Sequence, residues 1–220
     1  MPRYTVIRLE DAWSHFTSKS VSTRYLQAYN LRVNWLINRI LKPHGGVAFS
    51  LNTGEYIALT NTVSRGIHVE FQARLEEEAR VRVRVASVVA SNPVVALLSA
   101  SQYFKKNTFY YEEGGGEAYH IISLLLPFSS GYDAYVAYST LSYSVLKSIE
   151  RYGGLVVERA GWALTILLGG GLEEAVSELS RIGFVGAGSS RIGLQAYVNS
   201  LKALRRALKK GKPVVVSEAN

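Results

Sequence analysis

Three acids stand where they could share a cation. Glu10 and Asp11 follow the apolar run that begins at Tyr4, and Glu55 sits in the short turn Thr53-Gly54-Glu55 between two further apolar runs. A carboxylate ending one strand and another in a neighbouring hairpin can hold divalent metal such as Mg2+. The metal would neutralise triphosphate charge and polarise a water or hydroxyl. The plainer reading makes Glu10 and Asp11 strand-exit residues and Glu55 a solvated turn residue.

Arg80, Arg82 and Arg84 alternate with Val81, Val83 and Val85. In a strand that spacing puts the three guanidinium groups on one face. A planar, five-donor guanidinium suits phosphate oxygens, so Arg82 and Arg84 are candidate phosphate contacts. A solvent-facing or partner-facing sheet surface, paired with Glu76, Glu77 and Glu78, would look the same in sequence. Between Ser190 and Lys212 stand Arg191, Lys202, Arg205, Arg206, Lys209, Lys210 and Lys212, with no acid among them. Arg205, Arg206, Lys209 and Lys210 are candidate nucleic-acid contacts. The same residues equally suit the negative C-terminal end of a helix.

The elements that would position these groups repeat. The run from Tyr4 is a strand, and residues 23–42 follow with Leu26, Tyr29, Val33, Leu36, Ile37 and Ile40 on one helical face. Pro43 and Gly45-Gly46 stop that helix. Two strands form a hairpin around Gly54, and a helix over 67–79 turns Val69, Phe71 and Leu75 inward. A strand over 80–90 precedes a helix opened by Asn92-Pro93. The second half has the same order: a strand from His120, then a helix with Tyr138, Leu141, Val145, Ile149 and Tyr152 on one face. A hairpin over 155–168, a helix from Leu172, a strand from Ile182 and a basic helix complete it. Gly46 to Gly154 is 108 residues and Gly54 to Gly161 is 107. The expected fold is α+β, two tandem ferredoxin-like βαββαβ units of palm type. Boundaries fall at 1–104, a linker over 105–118 marked by Gly114-Gly115-Gly116, and 119–220.

Composition narrows the functions. With no cysteine among 220 residues, disulfides, thiolate metal sites and cysteine nucleophiles are excluded. His15, His44, His68 and His120 lack metal-ligand spacing, and no serine stands in a nucleophile elbow. The glycines at 186 and 188 match neither phosphate-loop fingerprint. No apolar run is long enough to span a bilayer, and the N-terminus lacks the apolar core of a signal peptide, so a cytoplasmic location and no membrane partner are expected. A net charge of +8 favours anionic partners. Phe104, Phe109, Tyr110 and Tyr111 interleave with Lys105 and Lys106, which suits either base stacking or an apolar seam.

The residues over 6–13, the hairpin over 49–63, His120-Ile121-Ile122, Tyr132-Asp133-Ala134-Tyr135, Gly153-Gly154 and the run 184–191 together resemble archaeal GTP cyclohydrolase III. The resemblance implies tandem palm-like domains related to the GGDEF and class III cyclase fold. It also implies a divalent metal, GTP as substrate, opening of its purine ring, and a homo-oligomer. In that pattern an Asp ends the first strand of each half and another lies in each hairpin. Here Glu10-Asp11 keeps an acid at the first-strand position and Glu55 lies about one residue from the hairpin position, while Ile122 or a neighbour and Ala160 or Gly161 replace the second-half acids. The expectation is a diverged relative that binds a purine nucleoside triphosphate without the family's full metal set. The alternatives are an active Mg2+-dependent GTP cyclohydrolase, or a non-enzymatic RNA-binding or structural protein.

Overall fold

The computed structural model describes residues 1–10, 23–52, 54–127 and 132–217. They divide into two compact units. The first comprises Met1–Ala90, Val95–Glu117 and Ile192–Leu194, and the second Ser91–Val94, Ala118–Arg191 and Gln195–Asn220. Each contains one five-stranded sheet of an α+β, ferredoxin-like palm arrangement.

In the first unit β1 (Arg3–Leu9), α1 (Thr23–Leu41), β2 (Val47–Asn52), β3 (Glu55–Leu59), α2 (Arg65–Ala79) and β4 (Val83–Val89) follow the expected order. Helix α3 (Pro93–Tyr103) comes next, with Val95 onward belonging to this unit. The sheet runs β2-β3-β1-β4-β5, with β1 antiparallel to both β3 and β4. One face is apolar at alternate positions (Ile7, Leu9, Val83, Val85) and packs on Val33, Leu36 and Ile37 of α1 and Phe71 and Leu75 of α2. The other face packs Val6 and Ala86 on Ala100 and on Phe104, just past α3.

The stretch 105–118, read from sequence as linker, supplies β5 (Phe109–Tyr111), which pairs in parallel with β4. A three-residue parallel edge strand has neither length nor alternation to announce it. The interleaved aromatics are spent internally: Phe104 is buried, and Tyr103 stacks on Tyr110 at 3.6 Å between centroids. Tyr111 meets His68 edge-on and carries the Arg3 guanidinium over its ring. The glycine run folds back on Arg3, whose guanidinium donates to the Gly114 carbonyl. Gly115, at φ 87°, leaves only 3.1 Å between its missing Cβ and that of Arg3.

Helix α2 is rotated from the expected phase. Its inward row is His68, Phe71 and Leu75, and Val69 is half exposed. Apolarity favours Val69, but packing needs a residue three before Phe71, and His68 fills that place because its ring nitrogens are both satisfied. Nδ1 lies 2.8 Å from the Ser64 carbonyl and must donate to it, so neutral Nε2 accepts from Thr5 Oγ1 at 2.8 Å. Thr5 is in turn bonded to Thr60 at 2.8 Å.

Burial pulls the His68 pKa down to about 4, from an ordinary 6.5. The unfolded chain therefore takes up a proton as pH falls through 6.5, while the native chain resists until about 4. Stability is full above 6.5 and declines between 6.5 and 4, by up to about 3 kcal/mol for this one group. Urea midpoints at pH 7, 5.5 and 4 should fall in step, and His68→Gln should flatten that slope. A slope unchanged by His68→Gln would refute the assignment.

The second unit contains β6 (Tyr119–Leu125), α4 (Tyr132–Glu150), β7 (Leu155–Ala160), β8 (Ala163–Leu168), α5 (Leu172–Leu179), β9 (Phe184–Ser190), α6 (Gly193–Lys210) and β10 (Val214–Ser217). Helix α6 belongs here from Gln195 onward. The sheet order β10-β9-β6-β8-β7 repeats the first, including a parallel edge strand that the sequence reading lacked. Val145, Ile149, Ala175 and Leu179 cover one face through Ile122, Leu124, Ile166 and Val185.

Helix α6 covers the other face at close range, because β9 offers Gly186 and Gly188 there. A Cβ on Gly186 would stand 1.9 Å from the Leu204 amide nitrogen, and one on Gly188 2.3 Å from the Ala196 carbonyl oxygen. The helix presents buried Ala196, Asn199, Ser200, Ala203 and Ala207 to this face, with Ser200 hydroxyl 2.9 Å from that of Ser123. Glycine here serves close approach of backbone to backbone.

Candidate functional site

The charged groups of the first unit converge where β1, β3 and β4 end. Backbone pairing sets Arg8 of β1 opposite Glu55 of β3 on one side and Arg84 of β4 on the other. Directly opposed residues project to the same face, so Glu55, Arg8 and Arg84 form one row across three strands. Pairing continues one step past β1, where the Glu10 amide donates to the Arg82 carbonyl at 2.8 Å. That bond fixes Glu10 beside Arg82 and Arg84.

Every described acid in the row is engaged by arginine. Arg8 donates twice to Glu55 Oε1, from Nε at 2.8 Å and Nη2 at 2.5 Å, and Asn52 Nδ2 donates to Oε2 at 2.8 Å. Arg84 Nε donates to Glu10 Oε1, and its Nη1 donates to the Phe104 carbonyl. Arg82 Nε approaches Glu10 Oε2 only to 3.7 Å, and its side chain is 71% exposed. Phe104 lies beneath, with Arg8 Cζ 5.1 Å from its ring centroid, within cation–π range.

A divalent ion needs carboxylate oxygens with free lone pairs aimed at one point. Here both Glu55 oxygens accept side-chain N–H donors, and Glu10 is clasped by Arg84. Among the described residues no three acids or imidazoles gather at a point fit for a metal. The two described acids, so engaged, do not by themselves fit resident Mg2+. Asp11, the third acid of the expected metal cluster, lies outside the described residues.

The expected arginine face is only partly formed. Arg84 lies in β4 and Arg82 just ahead of it, but Arg80 ends helix α2 in a left-handed conformation, φ 55°, its amide bonded to the Glu76 carbonyl. The neighbouring acids are used elsewhere. Glu76 Oε1 accepts from the Val83 amide at 2.9 Å, and Glu78 pairs with Arg39 at 2.7 Å. Arg8 and Asn52 were missed in the sequence. The available signal for Arg8 was a charged residue in phase with Tyr4 and Val6 on one strand face.

Among the described residues the second unit has no such row. The Leu126 amide bonds to the Trp162 carbonyl at 2.9 Å, as the Leu9 amide bonds to Gly54 at 2.8 Å. Trp162, not Gly161, is thus the counterpart of Gly54, and the 108-residue step holds through the hairpin. By the same register Pro127 stands in the place of Glu10. Leu125 pairs with Ala163 and Phe184 where Arg8 pairs with Glu55 and Arg84. Acids and arginines are replaced together, by an apolar row. Glu158, the remaining acid in that hairpin, accepts from Thr165 at 3.0 Å and Tyr197 at 3.0 Å. Burial pushes the Tyr197 hydroxyl well above the ordinary tyrosine range, aided by the charge on Glu158.

The nucleic-acid candidates Arg205, Arg206, Lys209 and Lys210 all lie on α6 and are exposed. None pairs with a carboxylate among the described residues. No described helix is long and apolar enough to cross a membrane.

No protein-family profile matches the chain, and no curated protein matches it. Among solved structures, a bacterial light-regulated adenylyl cyclase is similar at TM-score 0.36 and 9% identity, over 95% of this chain and 83% of that one. A second such cyclase structure gives 0.29 and 10%, over 86% and 73%. A protein from Galdieria sulphuraria gives 0.26 and 11%, over 86% and 97%. The sheet order and register described above carry the fold assignment by themselves.

Proposed function

We infer that this chain is a diverged, non-catalytic relative of archaeal GTP cyclohydrolase III that binds a purine nucleoside triphosphate at the arginine row of its first unit. One observation carries the reading: three guanidinium groups face two described carboxylates, and the most exposed, Arg82, is the most loosely held. Among the described residues the row therefore keeps a positive surplus at the end of the sheet, with a donor fork that a phosphate can take from Glu10 at small cost. Arg84 orients Glu10, Glu10 holds Arg82 nearby, and Arg8 keeps Glu55 from opposing the ligand's charge.

Ring opening is no part of this function, because the described acids are committed to arginine. Mg2+ enters, if at all, as an ion carried by the nucleotide. GTP titrated calorimetrically should bind equally well in EDTA and in Mg2+, and Arg82→Ala should weaken binding at least fivefold. Absence of heat and of thermal stabilisation at millimolar GTP would overturn the reading. Binding abolished by EDTA would overturn its metal-free form.

A further inference from the structure

From Leu179 to Ser217 the chain contains no Asp or Glu, yet it carries Arg181, Arg191, Lys202, Arg205, Arg206, Lys209, Lys210 and Lys212. Five of these, at 202, 205, 206, 209 and 210, follow the i, i+3, i+4, i+7, i+8 spacing of one helical face. All five are exposed on α6, on a face beside the small residues that pack against β9. The stripe covers a little over two turns, about 12 Å of helix axis. The negative end of a helix dipole amounts to roughly half a charge, so five cations far exceed what capping requires.

The stripe runs directly into a recess of about 260 Å³ where α6 ends and β9 begins. Arg181, Gly183, Phe184, Gly211, Lys212 and Pro213 line it. Phe184 is 42% exposed although it belongs to a sheet strand. It shares its face with Gly186 and so points to the α6 side, flanked in the recess by Arg181 and Lys212. An exposed aromatic between cations, at the end of a row of cations with no carboxylate partner among the described residues, meets both needs of a single strand: backbone neutralisation and base stacking.

We propose that α6 and the Phe184 recess form a binding surface for single-stranded nucleic acid. Lys202, Arg205, Arg206, Lys209 and Lys210 follow the phosphates, and Phe184 stacks on a base held between Arg181 and Lys212. The surface lies wholly in the second unit and stands independently of the nucleotide reading.

The test is fluorescence anisotropy with a labelled 15-mer of oligouridylate, against a duplex of equal length and polyglutamate. Oligouridylate should bind at least tenfold tighter than either competitor, with log K falling about 3 to 4 for each tenfold rise in salt. The quadruple change R205Q/R206Q/K209Q/K210Q should lower affinity more than tenfold and flatten that slope. Phe184→Ala should weaken oligouridylate at least fivefold, leave the slope unchanged and leave any duplex binding alone. Both variants alter exposed side chains, and melting curves matching the parent show that any loss is not unfolding. Equal binding of single strand, duplex and polyglutamate would overturn the proposal, as would an unchanged affinity in either variant.

Discussion

Gly186→Ala should cost the second unit at least about 3 kcal/mol, the largest effect of a methyl group added at any described glycine. The added Cβ would stand 1.9 Å from the Leu204 amide nitrogen and 2.4 Å from its Cα, both backbone atoms of α6. A side-chain neighbour could rotate away, but helix backbone can only translate. Lifting α6 from β9 would also open the packing of Ala196, Ala203 and Ala207 and separate the Ser123 and Ser200 hydroxyl groups. Overpacking of this kind usually costs 1–3 kcal/mol where side chains can yield, and more where they cannot. For a domain near 100 residues, a 3 kcal/mol loss lowers Tm by roughly 12 °C or more. Gly161→Ala is the control. It carries strain from φ 59° but meets open space, so about 1 kcal/mol is expected. Equal melting of the two variants would refute the close-approach account.

Arg84→Ala should destabilise the first unit by about 2 kcal/mol, more than loss of either neighbouring arginine. It removes the donor that serves Glu10 and the Phe104 carbonyl together, and leaves a partly buried carboxylate without its main partner. The groups are about a quarter exposed, which keeps the cost below that of a fully buried pair. A double-mutant cycle with Glu10→Gln, read from urea midpoints, should show coupling above about 1 kcal/mol. Additivity within about 0.3 kcal/mol would mean that the pair does not interact.

Much of the fold was legible because periodicity carries it. The helical faces at Val33-Leu36-Ile37-Ile40 and Val145-Ile149 were apolar at the right spacing, and glycines bounded both hairpins. What escaped lacked a local signal. β5 and β10 are short parallel edge strands whose partners lie far away along the chain. His68 took an inward position because a threonine and a carbonyl, remote in sequence or a turn away, satisfy its ring. The site was legible by residue type and not by partnership. Glu10, Glu55 and Arg84 could be singled out, but only cross-strand register showed that Arg8 stands between Glu55 and Arg84. Register also showed that the second unit replaced the whole row at once, with Ala163, Leu125 and Phe184. Counting missing acids alone could not reveal that coordinated exchange.

The acid-free stretch from Leu179 to Ser217 also lacks histidine and cysteine. Its charge therefore has no protonation switch near neutrality and no redox switch. Whatever anion meets this face encounters a constant potential across the physiological pH range. Control must come from outside the side chains' own chemistry, through ionic strength, competing polyanions or acylation of Lys202, Lys209, Lys210 and Lys212.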